Sequence, residues 1–213
     1  GFLNSPDVYM DKIAVGIGLP DQIVDIDEEP KTNLKNLAQA KNVDVSDIVV
    51  CILDRPRHED LIAKVRDAGA RIMLISDGDI SAVMATSEAA SGVDIYIGSG
   101  GAPEGVLAAS ALRCIGGQMQ ARLLFRNEDE KDRARHCGIE DFDRKYGLYD
   151  LANGDVMFAA TGVTNGTMLR GVRRFSGGAT THSVVMRSRS GTVRYIEAVH
   201  NFNRKTGFDP VDL

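Results

Sequence analysis

The 213 residues predict an α/β protein with a largely parallel sheet, helices on both of its faces and an antiparallel strand pair near the C-terminus. Three observations carry that reading. Three strand–turn–helix units follow one another between Ile48 and Ile115, each turn is polar or glycine-rich, and the C-terminal region changes to alternating apolar and polar residues. Successive units of this kind connect by right-handed crossovers, which build parallel strands with helices on the faces.

A helix is expected over Thr32–Lys41, where Leu34, Leu37 and Ala38 share one face after Pro30. Ile48–Leu53 is an apolar run rich in β-branched residues, the composition of a strand buried on both faces. It stops at Asp54-Arg55-Pro56-Arg57-His58, after which Leu61, Ile62, Val65 and Ala68 fall at helical spacing before Gly69. The second unit reads Arg71–Ser76 as strand, Asp77-Gly78-Asp79 as turn and Ile80–Ala90 as helix. In the third, Val93–Ile97 is the strand, Gly98–Glu104 a glycine-rich turn and Val106–Ile115 an apolar helix closed by Gly116-Gly117. Arg126–Arg144 is dense in charge and reads as a solvated helix or loop. Val156–Ala160 predicts another strand, and Thr180–Arg187 and Thr192–Val199 predict an antiparallel pair around Ser188-Arg189-Ser190-Gly191. No composition shift marks a boundary, so residues 1–213 read as a single domain with Asn201–Leu213 as a loosely held tail.

Composition narrows the chemistry. Thirty acidic against 25 basic side chains give a net charge of −5, without the basic stripe of a nucleic-acid surface. Apolar runs such as Ile48–Leu53 fall far short of the ~20 residues that span a bilayer, so no membrane association is expected. Cys51, Cys114 and Cys137 lack C-x-x-C spacing, which argues against disulfide and thiolate-zinc frameworks and for a reducing cytoplasm. Thr161-Gly162-Val163-Thr164-Asn165-Gly166-Thr167 reads equally as a phosphate cradle without the P-loop lysine or as a hydroxyl-stabilised turn. Histidines 58, 136, 182 and 200 are too scattered for a zinc site, and Thr181-His182-Ser183 has no Asp beside it to suggest a hydrolase triad.

Ligands of open α/β sheets bind outside the carboxyl ends of the strands, where the three polar turns should converge. Arg55 and Arg57 flank Pro56, which fixes the backbone between two side chains shaped for bidentate phosphate binding; a pair of surface arginines is the alternative. His58 reads as a helix-start residue rather than a base. Asp77-Gly78-Asp79 places two carboxylates around a glycine, suited to sugar hydroxyls or a cation, or else is a turn with Asp79 as an N-cap. In Gly100-Gly101-Ala102-Pro103-Glu104-Gly105 the glycines admit an anion to backbone N–H groups, and Glu104 serves either as a hard-metal ligand or as a helix-dipole partner.

Read together and in order, these motifs resemble those of the class II fructose-1,6-bisphosphatases. The matching stretches are Asn4-Ser5-Pro6-Asp7-Val8-Tyr9-Met10-Asp11-Lys12, Asp54-Arg55-Pro56-Arg57-His58, Ser76-Asp77-Gly78-Asp79 and Gly100-Gly101-Ala102-Pro103-Glu104-Gly105. Ala160-Thr161-Gly162-Val163-Thr164 and Thr181-His182-Ser183-Val184-Val185-Met186-Arg187 extend the match through nearly the whole chain. The resemblance implies a layered fold of the lithium-sensitive phosphatase type. The activity it implies is metal-dependent hydrolysis of the 1-phosphate of fructose 1,6-bisphosphate to fructose 6-phosphate, a reaction of gluconeogenesis. By that resemblance Tyr9 and the segment Arg55, Pro56 and Arg57 grip the retained phosphate, Asp77, Gly78, Asp79 and Gly101 contact the sugar, and Glu104 binds a catalytic Mn²⁺ or Mg²⁺. Members usually form homo-oligomers, and some relatives accept sedoheptulose 1,7-bisphosphate.

The family's G-E-G-E type and D-P-I/V-D/E-G-T motifs, which supply most metal ligands and the threonine that helps to activate water, do not occur in this sequence. The chain, which opens at Gly1, is therefore expected to correspond to the C-terminal two-thirds of a member, with the N-terminal portion missing. Catalytic residues are expected in that portion, and the 213 residues alone are expected to be inactive. A non-catalytic sugar-phosphate-binding module and a Rossmann-like nucleotide binder are the alternatives. The second is the weaker, because Gly98–Gly105 does not give G-x-G-x-x-G.

Overall fold

The computed structural model describes residues 1–204. In chain order the elements are β1 (Tyr9–Val15), α1 (Pro30–Lys41), β2 (Val49–Leu53), α2 (Glu59–Asp67), β3 (Arg71–Ile75), α3 (Asp79–Ala85) and β4 (Ile95–Gly101). They continue with α4 (Ala102–Ile115), β5 (Gln118–Leu124), α5 (Glu128–His136), β6 (Tyr146–Gly147) and α6 (Leu148–Leu151). The chain closes with β7 (Met157–Thr161), β8 (Arg173–Phe175), β9 (Gly178–Arg187) and β10 (Thr192–Asn201).

Six strands form one sheet in the order β3-β2-β4-β1-β5-β6. Three strand–helix units are present, the first two with the expected turns, but the sheet is mixed rather than largely parallel. β2 pairs in parallel with β3 and β4, whereas β1 runs antiparallel to both β4 and β5, and β5 antiparallel to β6. The reason is topological: the crossover through α4 carries the chain from β4 to a strand two places away, and the N-terminal β1 fills the gap in the opposite direction.

Strand alternation divides the core. Ile13, Val15, Val50, Ile52 and Ile95 pack with Leu34 and Leu37 of α1 and Ile62 and Val65 of α2. Met10, Ala14, Cys51, Tyr96 and Met119 point to the other face and pack with Val83 of α3 and Leu112 of α4. Phe158, Val184 and Met186 of the second sheet join that same cluster, so α4 lies between the two sheets and the layers alternate helix, sheet, helix, sheet. The second sheet runs β10-β9-β7, with β8 also on β9. The expected β9–β10 hairpin is thus present within a four-stranded antiparallel sheet.

Other boundaries shift for identifiable reasons. The segment Gly98–Glu104 is not a turn: β4 continues to Gly101, paired along its length with β1, and α4 begins directly at Ala102. The helix expected to reach Ala90 stops at Ala85, where Thr86 Oγ1 donates to the Val83 carbonyl (2.7 Å) and Ser91 Oγ takes up that of Ala85. Asn201 closes β10 and Phe202–Arg204 form a 3₁₀ turn where a loose tail is expected, and the remainder of that tail, 205–213, lies outside the described residues.

Candidate active site

The carboxyl ends of β2, β3 and β4 share one edge of the sheet with the amino end of β1, where Tyr9 stands opposite Gly101. The chain leaves β2 for β3 through α2 on one face and leaves β4 for β5 through α4 on the other. The crevice between β2 and β4 is therefore the topological switch point, where α/β sheets bind ligands.

Arg55-Pro56-Arg57-His58 leaves β2 at this crevice. Proline keeps its predecessor out of the helical region, so Arg55 is extended (φ −140°, ψ 145°) and a 3₁₀ turn, Pro56–His58, leads into α2. Arg57 donates from Nε to Ser99 Oγ (3.0 Å) and from Nη2 to the Ser99 carbonyl (2.7 Å), and its guanidinium carbon lies 4.9 Å from the Tyr9 ring centroid. His58 does start the helix, as its N-cap, but its ring is buried and takes part in the site. Nδ1 donates to the Leu53 carbonyl (2.7 Å), which leaves Nε2 to accept the Ser99 N–H (2.8 Å). Burial, reinforced by the neighbouring Arg57 charge, lowers the pKa of His58 and favours the neutral ring that this bonding requires. A strand–helix unit, His58 and Ser99 together aim the Arg57 guanidinium.

Arg126, from the stretch expected to be merely solvated, stands 5.2 Å from the same Tyr9 ring centroid and is paired with Glu130. On the other face of the sheet Gly78 (φ 88°) makes the turn before α3, a conformation that side chains disfavour. Asp77 stays exposed and its Oδ1 accepts the Gly78 N–H (2.8 Å). Asp79 is buried and ion-paired with Lys12, whose Nζ also donates to the Gly101 carbonyl (3.1 Å). Gly101 serves as a close-approach point: a Cβ there would stand 1.9 Å from Glu104 Oε2, because the exposed Glu104 side chain folds back from the first turn of α4.

The predicted site residues Tyr9, Arg55, Pro56, Arg57, Asp77, Gly78, Asp79, Gly101 and Glu104 thus all lie on this one sheet edge or in the turns that leave it. Lys12, Ser99 and Arg126 join these residues in the structure. Lys12 carried a signal, since it is a charge directly before the apolar Ile13-Ala14-Val15, whereas Ser99 and Arg126 had none that spacing could reveal. Of the Thr161–Thr167 segment, Thr161 ends β7, and the rest is a loop tied to its own neighbours: Gly166 N–H donates to the Leu169 carbonyl (3.0 Å) and Asn165 Oδ1 accepts the Gly171 N–H (2.9 Å).

Hard divalent cations take about six or more oxygen ligands in protein sites. Among the described residues no group of three His, Cys, Asp or Glu side chains could hold a metal ion, so Glu104 and its neighbours do not fit a complete cation site. A cleft of about 1440 Å³ opens along α3 from Asp77 and Gly78, with Met73, Leu74, Met84, Val193 and Tyr195 among its apolar lining and Ser81, Glu88 and Thr164 among its polar lining, and no arginine among the described residues lines it. No helix among the described residues is long and apolar enough to cross a membrane.

The sheet edge thus gathers two arginines beside Tyr9, Arg57 and Arg126, with the carboxylates of Asp77 and Asp79 and the glycines 78 and 101 in neighbouring turns. The family model described as bacterial fructose-1,6-bisphosphatase, glpX-encoded, matches residues 1–200, and the chain belongs to this family. A D-fructose 1,6-bisphosphatase class 2/sedoheptulose 1,7-bisphosphatase of Synechococcus sp. (strain JA-2-3B'a(2-13)) is 42% identical, over 94% of this chain and 61% of its own length. The protein of the same description from Synechococcus sp. (strain JA-3-3Ab) is 42% identical over 100% of this chain and 64% of its own length. That of Trichodesmium erythraeum (strain IMS101) is 41% identical over 95% and 62%. The chain therefore spans less than two-thirds of the length of these curated relatives.

Proposed function

We propose that this chain is the sugar-phosphate-binding portion of a bisphosphatase that hydrolyses the 1-phosphate of fructose 1,6-bisphosphate, leaving fructose 6-phosphate. The observation that carries the reading is the meeting of Arg57, Tyr9 and the Asp77-Gly78-Asp79 turn at one switch-point edge, in a chain of this family. Arg55 and Arg57 hold the phosphate that is kept, with Tyr9 beside it. Asp77 and Asp79 accept hydrogen bonds from sugar hydroxyls, and the Gly78 and Gly101 backbone lets the sugar come close. A divalent cation, Mn²⁺ or Mg²⁺, supplies Lewis-acid chemistry in this family, and Glu104 is the ligand this chain contributes. The alternating layers support a fold of the lithium-sensitive phosphatase type. A homo-oligomeric enzyme of the cytoplasm, acting in gluconeogenesis, completes the proposal.

A second reading, in which sedoheptulose 1,7-bisphosphate is also a substrate, is compatible with the relatives' names. The test is phosphate release from each bisphosphate, with Mn²⁺ or Mg²⁺, by the 213 residues with and without a separately made N-terminal region of a related class II enzyme. Release on adding that region supports the proposal. Two pieces that associate yet release nothing would replace it with a non-catalytic sugar-phosphate-binding module.

A further inference from the structure

Lys12 sits within β1, beside Met10 and Ile13, and its side chain is 0% exposed. An ammonium in such a place is tolerated when protein groups replace its water, and an apolar residue of similar volume would commonly serve packing as well or better. Its partners are what distinguish it: Nζ is ion-paired with Asp79 Oδ2 and donates to the Gly101 carbonyl at 3.1 Å. Those residues belong to two different elements, the start of α3 and the end of β4, and both face the proposed sugar.

The sequence also leaves room for this ammonium. Lys12 lies opposite Gly98 and Met10 opposite Gly100, and a Cβ on Gly100 would stand 3.0 Å from Lys12 Nζ and 2.6 Å from Asp79 Oδ2. A Cβ on Gly105 of α4 would stand 3.3 Å from Lys12 Cδ. Glycines thus line the path of one buried lysine from β1 to the turn that carries Asp79.

We propose that Lys12 is a positioning residue for the substrate sugar, an inference that rests on the sugar-phosphate reading above. By holding Oδ2 of Asp79 and the carbonyl of Gly101 together, it fixes two sugar-contacting residues in one geometry and leaves Asp79 Oδ1 to accept a hydrogen bond from a sugar hydroxyl. Lys12 acts through these residues, and the phosphate grip of Arg55 and Arg57 does not depend on it.

The test compares fructose 6-phosphate with inorganic phosphate by titration calorimetry on the wild-type chain, Lys12→Met and Lys12→Arg. The wild type should prefer fructose 6-phosphate by about tenfold or more, the scale of one or two well-made hydrogen bonds. Lys12→Met should lose that preference while keeping its affinity for phosphate, and Lys12→Arg should recover part of it. Should Lys12→Met fail to fold, the ¹H–¹⁵N signal of the Lys12 ammonium in the wild type decides: it should shift with fructose 6-phosphate and stay still with phosphate. A preference that survives Lys12→Met, or an ammonium signal indifferent to fructose 6-phosphate, overturns the inference alone. A wild type with no preference overturns the sugar-phosphate reading as well.

Discussion

Two ion pairs of similar chemistry stand in very different places. Lys12–Asp79 lies under the six-stranded sheet's site edge with side chains 0% and 11% exposed, while Arg170–Glu197 lies on the second sheet with 66% and 51% exposed. At the first, water has been replaced by fixed protein groups, and the glycines of β4 and α4 are spaced around them. At the second, solvent screens both charges, and β10 alongside exposes Val193, Tyr195, Ile196 and Val199. The contrast teaches where a ligand can be held in one orientation: at the edge whose polar groups are buried and mutually bonded.

The sharpest way to break the comparison is to remove one partner from each pair. Lys12→Met leaves Asp79 buried without its counter-charge and should cost about 3–5 kcal/mol in urea unfolding. Arg170→Ala should cost less than about 1 kcal/mol. Equal losses would mean that the burial of the first pair carries no special weight.

Gly100→Ala should come next. Its Cβ would press on Asp79 Oδ2 at 2.6 Å, and the strain should cost about 1–3 kcal/mol and weaken fructose 6-phosphate binding. In the hairpin turn of the second sheet, Gly191 (φ +56°) has nothing within 4 Å of such a Cβ, so Gly191→Ala should cost only about 1 kcal/mol of backbone strain and leave binding alone. Stability and ligand titration on the two variants would separate the cases.

Ser99→Ala removes the hydroxyl that accepts from Arg57 Nε but keeps the carbonyl contact, so phosphate affinity should fall about fivefold, for about 1 kcal/mol, with little change in stability.

The smallest effect concerns pH. The folded His58 has a pKa below its usual 6.5, so the unfolded chain binds the proton more tightly and stability falls as pH drops below about 6.5. Arg55, Arg57 and Asp11 are the charged groups around it, and burial raises the carboxyl of Asp11, which works in the opposite sense nearer its own range. Thermal unfolding should therefore drop between about pH 7.5 and 5.5, and His58→Gln should flatten that slope. A slope unchanged in the variant would assign it to other groups.

Much of this was legible in the sequence, and the exceptions have physical causes. Val50 to Leu53 of β2, α2 with its Gly69 stop and the β9–β10 hairpin follow local pattern, because a strand buried on both faces and a solvent-facing hairpin leave clear periodicities. The strand β1 escaped because Asp11 and Lys12 interrupt its apolar run, and the charge is accommodated only by Asp79 and Gly101, 67 and 89 residues away. With β1 unseen, the sheet read as parallel. The missed β5 did carry a signal, Met119, Ala121 and Leu123 alternating with Gln118, Gln120 and Arg122. The turns named the arginines and carboxylates, yet the groups that aim them, Ser99 and the His58 ring, are joined across 41 residues and could not be paired from spacing.

The most direct test of the central claim is a crystal structure of this chain grown with fructose 6-phosphate. The account predicts the phosphate on Arg55 and Arg57 and the sugar hydroxyls on Asp77 and Asp79, with Lys12 still on Asp79. A ligand whose phosphate lies away from Arg55 and Arg57, in the cleft along α3 or on the second sheet, would contradict it.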